Sequence, residues 1–245
     1  ENCSNNESTI NATATGESGN VYAGGVCGYN YNATIENCSN NESTINATAT
    51  GESGVVNAGG VCGSNDCNAT IENCSNNEST INATGESGNV YAGGVCGSNF
   101  VSEITDCSNK GTVTATSETG ITHAGGVCGY NVDGGTITDC SNKGTITATS
   151  ESDDAYAGGV CGYIEFGTIT NCYSTGTATA TSKSINVYAG GVCGYSSGTI
   201  TNCYSTDTAT ATSESGNADA GGLCGYIESG TITNCYSTDT ATATS

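Results

Sequence analysis

The chain has 245 residues, with two Phe and no Trp, Met or Pro. A thick globular core therefore cannot be filled, whereas Ala, Val, Ile, Gly and Cys suffice for a thin one. Twenty-four acidic side chains face only Lys110, Lys143 and Lys183, a formal net charge of −21. Nucleic-acid binding needs clustered cations and is excluded, anionic membrane surfaces are disfavoured, and no apolar run is long enough for membrane insertion.

In chain order, the first marker is Asn2-Cys3, an Asn/Asp-Cys pair that returns at Cys38, Cys74, Cys107, Cys140, Cys172, Cys203 and Cys235. The second is Ala23-Gly-Gly-Val-Cys-Gly28. It recurs at 58–63, 92–97, 124–129, 157–162, 189–194 and, with Leu223 for Val, 220–225. Its cysteines lie 31 to 35 residues apart. Self-similarity at a fixed period over the whole length marks a repeat array whose units touch only their neighbours. In the unit from Gly167 to Gly194, Thr168–Tyr173, Thr177–Thr181 and Val187–Cys193 read as strands, separated by turn-forming linkers. The expected fold is all-β: a parallel β-solenoid of about seven coils, each of ~32 residues with three short strands, forming one repeat domain over 1–245 without recognisable caps.

Within the second strand, side chains alternate with period two. The row from Ile10 to Ala241 and the row from Ala12 to Ala243 are predicted to face inward, and the threonines between them outward. The paired glycines of the hexapeptide are expected to permit close backbone approach across the thin core. The Asn/Asp preceding each second cysteine is a candidate internal amide ladder.

Sixteen regularly placed cysteines argue for an oxidising, extracellular compartment. No Cys-x-x-Cys occurs and His123 is the lone histidine, so the usual zinc spacings are missing and neither a metal nor a cofactor is implied. Each hexapeptide cysteine has a partner 10 to 12 residues downstream. The expected disulfides are Cys27–Cys38, Cys62–Cys74, Cys96–Cys107, Cys128–Cys140, Cys161–Cys172, Cys193–Cys203 and Cys224–Cys235. Equivalent cysteines in adjacent coils, near 4.8 Å apart, are the competing pattern. Cys3 and Cys67 are left over as candidates for intermolecular links, Cys67 standing where the previous coil has Tyr31.

Eleven Asn-x-Ser/Thr sequons fall before residue 85, at Asn2, Asn6, Asn11, Asn32, Asn37, Asn41, Asn46, Asn68, Asn73, Asn77 and Asn82. All are candidate N-glycan sites, although Asn11, Asn46 and Asn82 share one outward row where glycans would crowd. Thr177, Thr179, Thr181, Thr208, Thr210 and Thr212 belong to a flat hydroxyl face, an alternative binding surface for ice or glycans set against the ordinary preference of exposed strands for Thr. Tyrosines recur at fixed register (Tyr22, Tyr91, Tyr156, Tyr188; Tyr163, Tyr195, Tyr226; Tyr173, Tyr204, Tyr236), where they stack on one another or on sugars. No catalytic residues are identified, and an enzyme is not expected.

Gly-Gly-Val-Cys-Gly followed by Gly-Thr-Ile-Thr-Asn-Cys-Tyr-Ser-Thr-Gly resembles the GLUG-motif repeat proteins, and Gly222-Leu223-Cys224-Gly225 stands nearest to the motif's core. The resemblance covers the whole chain and implies a microbial surface or secreted protein, adhesin-like or part of the envelope, with no enzymatic residues to carry over. The early units, such as Glu36 to Thr48, depart from the usual turn by an inserted residue. The expectation is an extracellular structural protein, a building block of a fibre, sheath or surface layer, or an adhesin stalk. Residues 1–19 nearly copy 36–54 and 230–245 repeat 198–213, so both ends read as interior units and the chain is expected to assemble end to end with copies of itself. Glycans are the other expected partner.

Overall fold

The computed structural model describes residues 2–16, 19–51, 54–183, 185–206 and 208–245. The first coil comprises β1 (Ser4–Asn6), β2 (Thr9–Ala14), β3 (Val21–Gly24), β4 (Cys27–Tyr31) and β5 (Thr34–Glu36). Each heads a parallel sheet built from its equivalents in later coils. The β1 and β2 sheets have eight strands each, and the β3, β4 and β5 sheets seven. The parallel β-solenoid of about seven coils is thus present, with five short strands per coil rather than three.

The two extra strands come from breaks inside segments that read as continuous. Asn37, Asn73, Asp106, Asp139, Asn171, Asn202 and Asn234 adopt φ between 51° and 56°, a left-handed conformation that Asn and Asp tolerate. They split Thr168–Tyr173 and its equivalents into a β5-type and a β1-type strand. Val187–Cys193 also divides in two, into Val187–Gly190 and a strand that starts at Cys193, with the break after the first hexapeptide glycine. In the early coils the inserted residue is absorbed by Glu7, Glu42 and Glu78, each at positive φ between β1-type and β2-type strands.

Pairing is in register. Thr44-Ile-Asn-Ala-Thr-Ala49 aligns residue for residue with Thr9–Ala14 on one side and Thr80–Gly85 on the other. Inside the terminal coils the predicted inward rows are buried with the β3 sheet: Ile45, Ala47, Ile81 and Ala83 lie beside Val56, Ala58 and Val90, and further along Ile146 and Ala148 lie beside Ala155 and Ala157, whereas Ala241 and Ala243 at the end of the rows are exposed. A second core cluster joins the hexapeptide Val and Cys residues to Ile71, Ile104, Ile137 and the second row of cysteines. The cross-section thus has two apolar lobes, each thin enough for Ala, Val, Ile and Cys to fill.

The hexapeptide glycines serve two purposes. A Cβ on Gly59 would fall 1.8 Å from the Cys62 carbonyl, so the first glycine permits a tight corner. A Cβ on Gly60 would fall 2.2 Å from the Gly94 carbonyl and 2.6 Å from the Asn76 side chain, so the second permits close approach across the interior.

Candidate functional site

The amide ladder lies elsewhere than expected. The Asn/Asp residues before the second cysteines are at exposed or partly exposed turns, where their left-handed backbone is the determining feature. The interior carries two other ladders. Asn40 Nδ2 donates to Asn76 Oδ1 (2.8 Å), Asn76 to Asn109 (2.7 Å), Asn109 to Asn142 (2.8 Å), and Asn142 to Ser174 Oγ (3.1 Å). Asn30 donates to Asn65, Asn65 to Asn99 and Asn99 to Asn131 at 2.8 to 2.9 Å. Each rung uses its neighbour and also ties to its own turn, as where Asn99 Nδ2 donates to the Ser102 carbonyl (2.8 Å) and Asn109 Oδ1 accepts from the Gly111 N–H (3.0 Å), so stacking and local backbone together satisfy these buried groups. Their sequence signal is Asn at the third position of Cys-Ser-Asn and the fourth of Cys-Gly-x-Asn, recurring at the period of the cysteines.

Both cysteine rows line the second core lobe. Within a row, each cysteine has its equivalent in the next coil as its ladder neighbour: Cys62 pairs in register with Cys27 and Cys96, and the Cys74 backbone N–H donates to Cys107 Sγ at 3.4 Å. Hexapeptide thiols donate to the carbonyl two residues ahead, as from Cys62 to Ser64 (3.1 Å). Second-row thiols donate to the carbonyl two residues behind, as from Cys107 to Thr105 (3.1 Å). Burial, with contact to the neighbouring thiol, pushes Cys161 and Cys193 well above the ordinary thiol range.

Cys3 is exposed and its backbone N–H reaches Cys38 Sγ at 3.4 Å. Cys67 departs from the expected register. Asp66, not Cys67, pairs with Tyr31, and Cys67 is the extra residue, half-buried in a left-handed turn at φ 59°. The longer spacing between Cys62 and Cys74 carried that signal.

The threonine face forms as expected on the β2 sheet. Thr177 and Thr208 are exposed, and Thr179, Thr181, Thr210 and Thr212 half-buried, in paired rows. Asn11, Asn46 and Asn82 share the central outward row, their amides laddered at 2.8 and 2.9 Å. Asn6, Asn41 and Asn77 form a similar ladder, and Asn73 donates to Asn37. Of the sequons, Asn2, Asn6, Asn11, Asn32, Asn37, Asn68 and Asn73 are exposed; Asn41, Asn46, Asn77 and Asn82 are half-buried.

The profile of the GLUG motif matches residues 19–46, 88–114, 120–147, 153–179, 185–210 and 216–242, about two thirds of the chain. The chain belongs to the GLUG-motif family. Each matched segment of this GLUG protein starts just before a β3-type strand and ends within a β2-type strand, so one motif copy spans the corner glycines and both cysteine rows, and the first three copies each carry a rung of both interior amide ladders. Comparison with curated proteins found no match. Among solved structures, the GLUG solenoid is similar to a Bacteroides ovatus protein assigned provisionally as an immunoglobulin A1 protease. The two share 19% identity and a TM-score of 0.58, over 94% of this chain and 65% of that one. At that identity the likeness shows the fold, and the GLUG chain spans less than two thirds of the other's length.

The tyrosine rows of the β3 and β4 sheets merge into one aromatic stripe. Tyr91 stacks on Tyr130 at 4.7 Å, Tyr163 on Tyr195 at 4.6 Å, and Tyr195 on Tyr226 at 5.5 Å. Tyr29 and Tyr130, which the sequence reading passed over, belong to the β4 row two residues after the cysteine. His123 takes a tyrosine's place in the β3 row, between Tyr91 and Tyr156 in register and against Tyr130 and Tyr163. Burial lowers its pKa to about 3, which keeps the imidazole neutral. A separate stack, Tyr173–Tyr204–Tyr236, runs along the β1 sheet at 5.0 and 5.2 Å.

Proposed function

We propose that this chain is an extracellular structural element, a rigid building block of a fibre, sheath or surface layer or the stalk of an adhesin, extended by end-to-end stacking of copies. The observation that supports this most is the residue-for-residue register of all five sheets. Because adjacent coils share one hydrogen-bonding pattern and both cysteine rows run from coil to coil, a coil of one copy offers another the backbone interface that coils already make within the chain. A net charge of −21 keeps flanks of separate rods apart and favours contact at the ends over lateral clumping. A non-enzymatic role is consistent with the lone histidine, which is buried and neutral at ordinary pH. Sedimentation velocity under native, oxidising conditions tests the assembly: oligomers that grow with concentration are expected, and a strictly monomeric 24.2 kDa species at high concentration would overturn it.

The cysteine content supports an oxidising compartment, and we assign the hexapeptide cysteines to disulfides with the second-row cysteines of the same coil, Cys27–Cys38 through Cys224–Cys235. The two rows share one core lobe, and rings of this size would stabilise by about 2–3 kcal/mol each. Peptide mapping without reduction should recover Cys96–Cys107; recovery of Cys96–Cys128 would replace that pattern with bonds along the ladders. Cys3 and Cys67 are assigned to links between chains, and N-glycans to the exposed sequons, foremost Asn32 and Asn68 in their left-handed turns.

A second reading, ice binding by the β2 sheet, draws on the five consecutive coils with Thr-x-Thr-x-Thr from Thr112 to Thr244. Thermal hysteresis in solutions of the chain would favour it, and its absence would dismiss it.

A further inference from the structure

The aromatic stripe has one break. In the β3 row, Asn57 stands between Tyr22 and Tyr91. In the β4 row, Ser64 and Ser98 stand between Tyr29 and Tyr130. The missing rings leave a cleft of about 210 Å³ with Tyr22 and Tyr29 at one end, Tyr91 and Tyr130 at the other, and Asn57, Ser64, Ser98 and Asp66 among its lining. This is below the size of drug-sized ligand sites and on the scale of a single ring.

The dimensions follow from the coil repeat. Two steps of ~4.8 Å place Tyr22 and Tyr91 about 10 Å apart. A ring midway between them would lie about 5 Å from each wall, the spacing that the unbroken stripe itself uses, as in Tyr156–Tyr188 at 5.2 Å. Between the tyrosines the lining mixes polar groups with Val55, Phe100 and Val132. Asn57 is 2% exposed and its Oδ1 is buried without a hydrogen-bond partner, as is Asp66 Oδ1. Tyr29 OH donates to the other Asp66 oxygen, and Ser64 and Ser98 hydroxyls bond each other at 2.9 Å. Two buried acceptors without donors are costly unless a ligand supplies O–H or N–H groups.

We propose that this break is a binding site for a neutral pyranose, one unit of a glycan, stacked between Tyr22 and Tyr91 with its hydroxyls donating to Asn57 Oδ1 and Asp66 Oδ1. A hydrocarbon aromatic would fill the slot but leave both acceptors unpaired. An anionic sugar would meet Asp66 within a chain of net charge −21. The proposal goes beyond the mechanical role and stands apart from it, since a single chain carries the whole slot.

With thirteen Tyr and no Trp, tyrosine fluorescence reads the stripe directly. The 245-residue chain would be titrated with neutral gluco-, galacto- and manno-oligosaccharides, with sialyllactose, with choline and with N-acetyltyrosinamide, and affinities checked by calorimetry. At least one neutral saccharide is expected to bind, and sialyllactose, choline and N-acetyltyrosinamide are not. Asn57→Tyr supplies the missing ring in a register that Tyr22, Tyr91, Tyr156 and Tyr188 already occupy, so the fold should persist with an unchanged or higher Tm. It should weaken saccharide binding at least about tenfold. Should Asn57→Tyr not fold, Ser98→Tyr blocks the other arm in the register of Tyr130, with the same loss expected. Failure of every neutral saccharide to bind, binding of choline or N-acetyltyrosinamide in their place, or undiminished saccharide binding by a folded blocked variant would overturn the proposal.

Discussion

At the scale of single residues, the interior is held by groups whose worth depends on the coil above and below. Asn76 Nδ2 donates to Asn109 and its Oδ1 accepts from Asn40, so Asn76→Ala removes two rungs at once, taking the acceptor from Asn40 Nδ2 and leaving Asn109 Oδ1 with the Gly111 N–H alone. A loss of about 2 kcal/mol or more is expected in chemical denaturation. Asn76→Ser should cost less, because Ser174 already serves as a rung beside Asn142. His123 gives a pH dependence whose sign is fixed by its burial. Its pKa is about 3 in the folded chain and about 6.5 when unfolded. Between those values the unfolded state holds a proton that the folded state does not, so stability falls as pH drops below about 6.5. His123→Tyr, matching Tyr91 and Tyr156 in register, should gain about 2 kcal/mol relative to the unsubstituted chain on going from pH 7.5 to pH 5. Equal pH dependence of the two proteins would refute the buried neutral imidazole. The sequence was read for an internal amide ladder at the wrong row, and the place of His123 was not read at all: Asn40 and Asn76, two residues after a cysteine, lie in strands of three residues, too short for their inward face to show in the pattern.

At the scale of strands and corners, periodicity revealed the β2 rows because six residues of strict alternation leave one inward set. The β1- and β5-type strands, two to three residues long, are too short to alternate visibly, and the left-handed Asn or Asp between them was legible only as part of an Asn-Cys marker. The glycine pair was read for close approach, and its second role at the corner depends on the Cys carbonyl three residues ahead. Gly94→Ala would drive a Cβ to 2.2 Å from the Gly126 carbonyl and 2.3 Å from the Asn109 side chain. It should destabilise by about 1–3 kcal/mol or more, read as a lowered denaturation midpoint. For the reduced chain, buried thiols raised by desolvation react slowly, since the thiolate is the nucleophile. Brief native alkylation followed by mass spectrometry should therefore label Cys3 and Cys67 well ahead of Cys96, Cys161 and Cys193. Uniform labelling would mean that the coils open readily.

At the scale of the whole molecule, the repeat period alone specified a solenoid, and register between coils follows because a one-residue slip would turn the buried Ile and Ala rows outward. The candidate binding site was legible only in part. The Tyr rows are visible in the sequence, but that two of them form one stripe depends on how the β3 and β4 strands meet at the glycine corner. Its break at Asn57, Ser64 and Ser98 gains meaning only when those positions are brought side by side. The mechanical role rests on coils that stack between chains as they do within one. Electron microscopy of the chain concentrated under native, oxidising conditions tests that most directly. The expected result is unbranched filaments with an axial repeat of about 4.8 Å from coil stacking. Dispersed single particles at every concentration, with no axial repeat beyond a single chain, would contradict it.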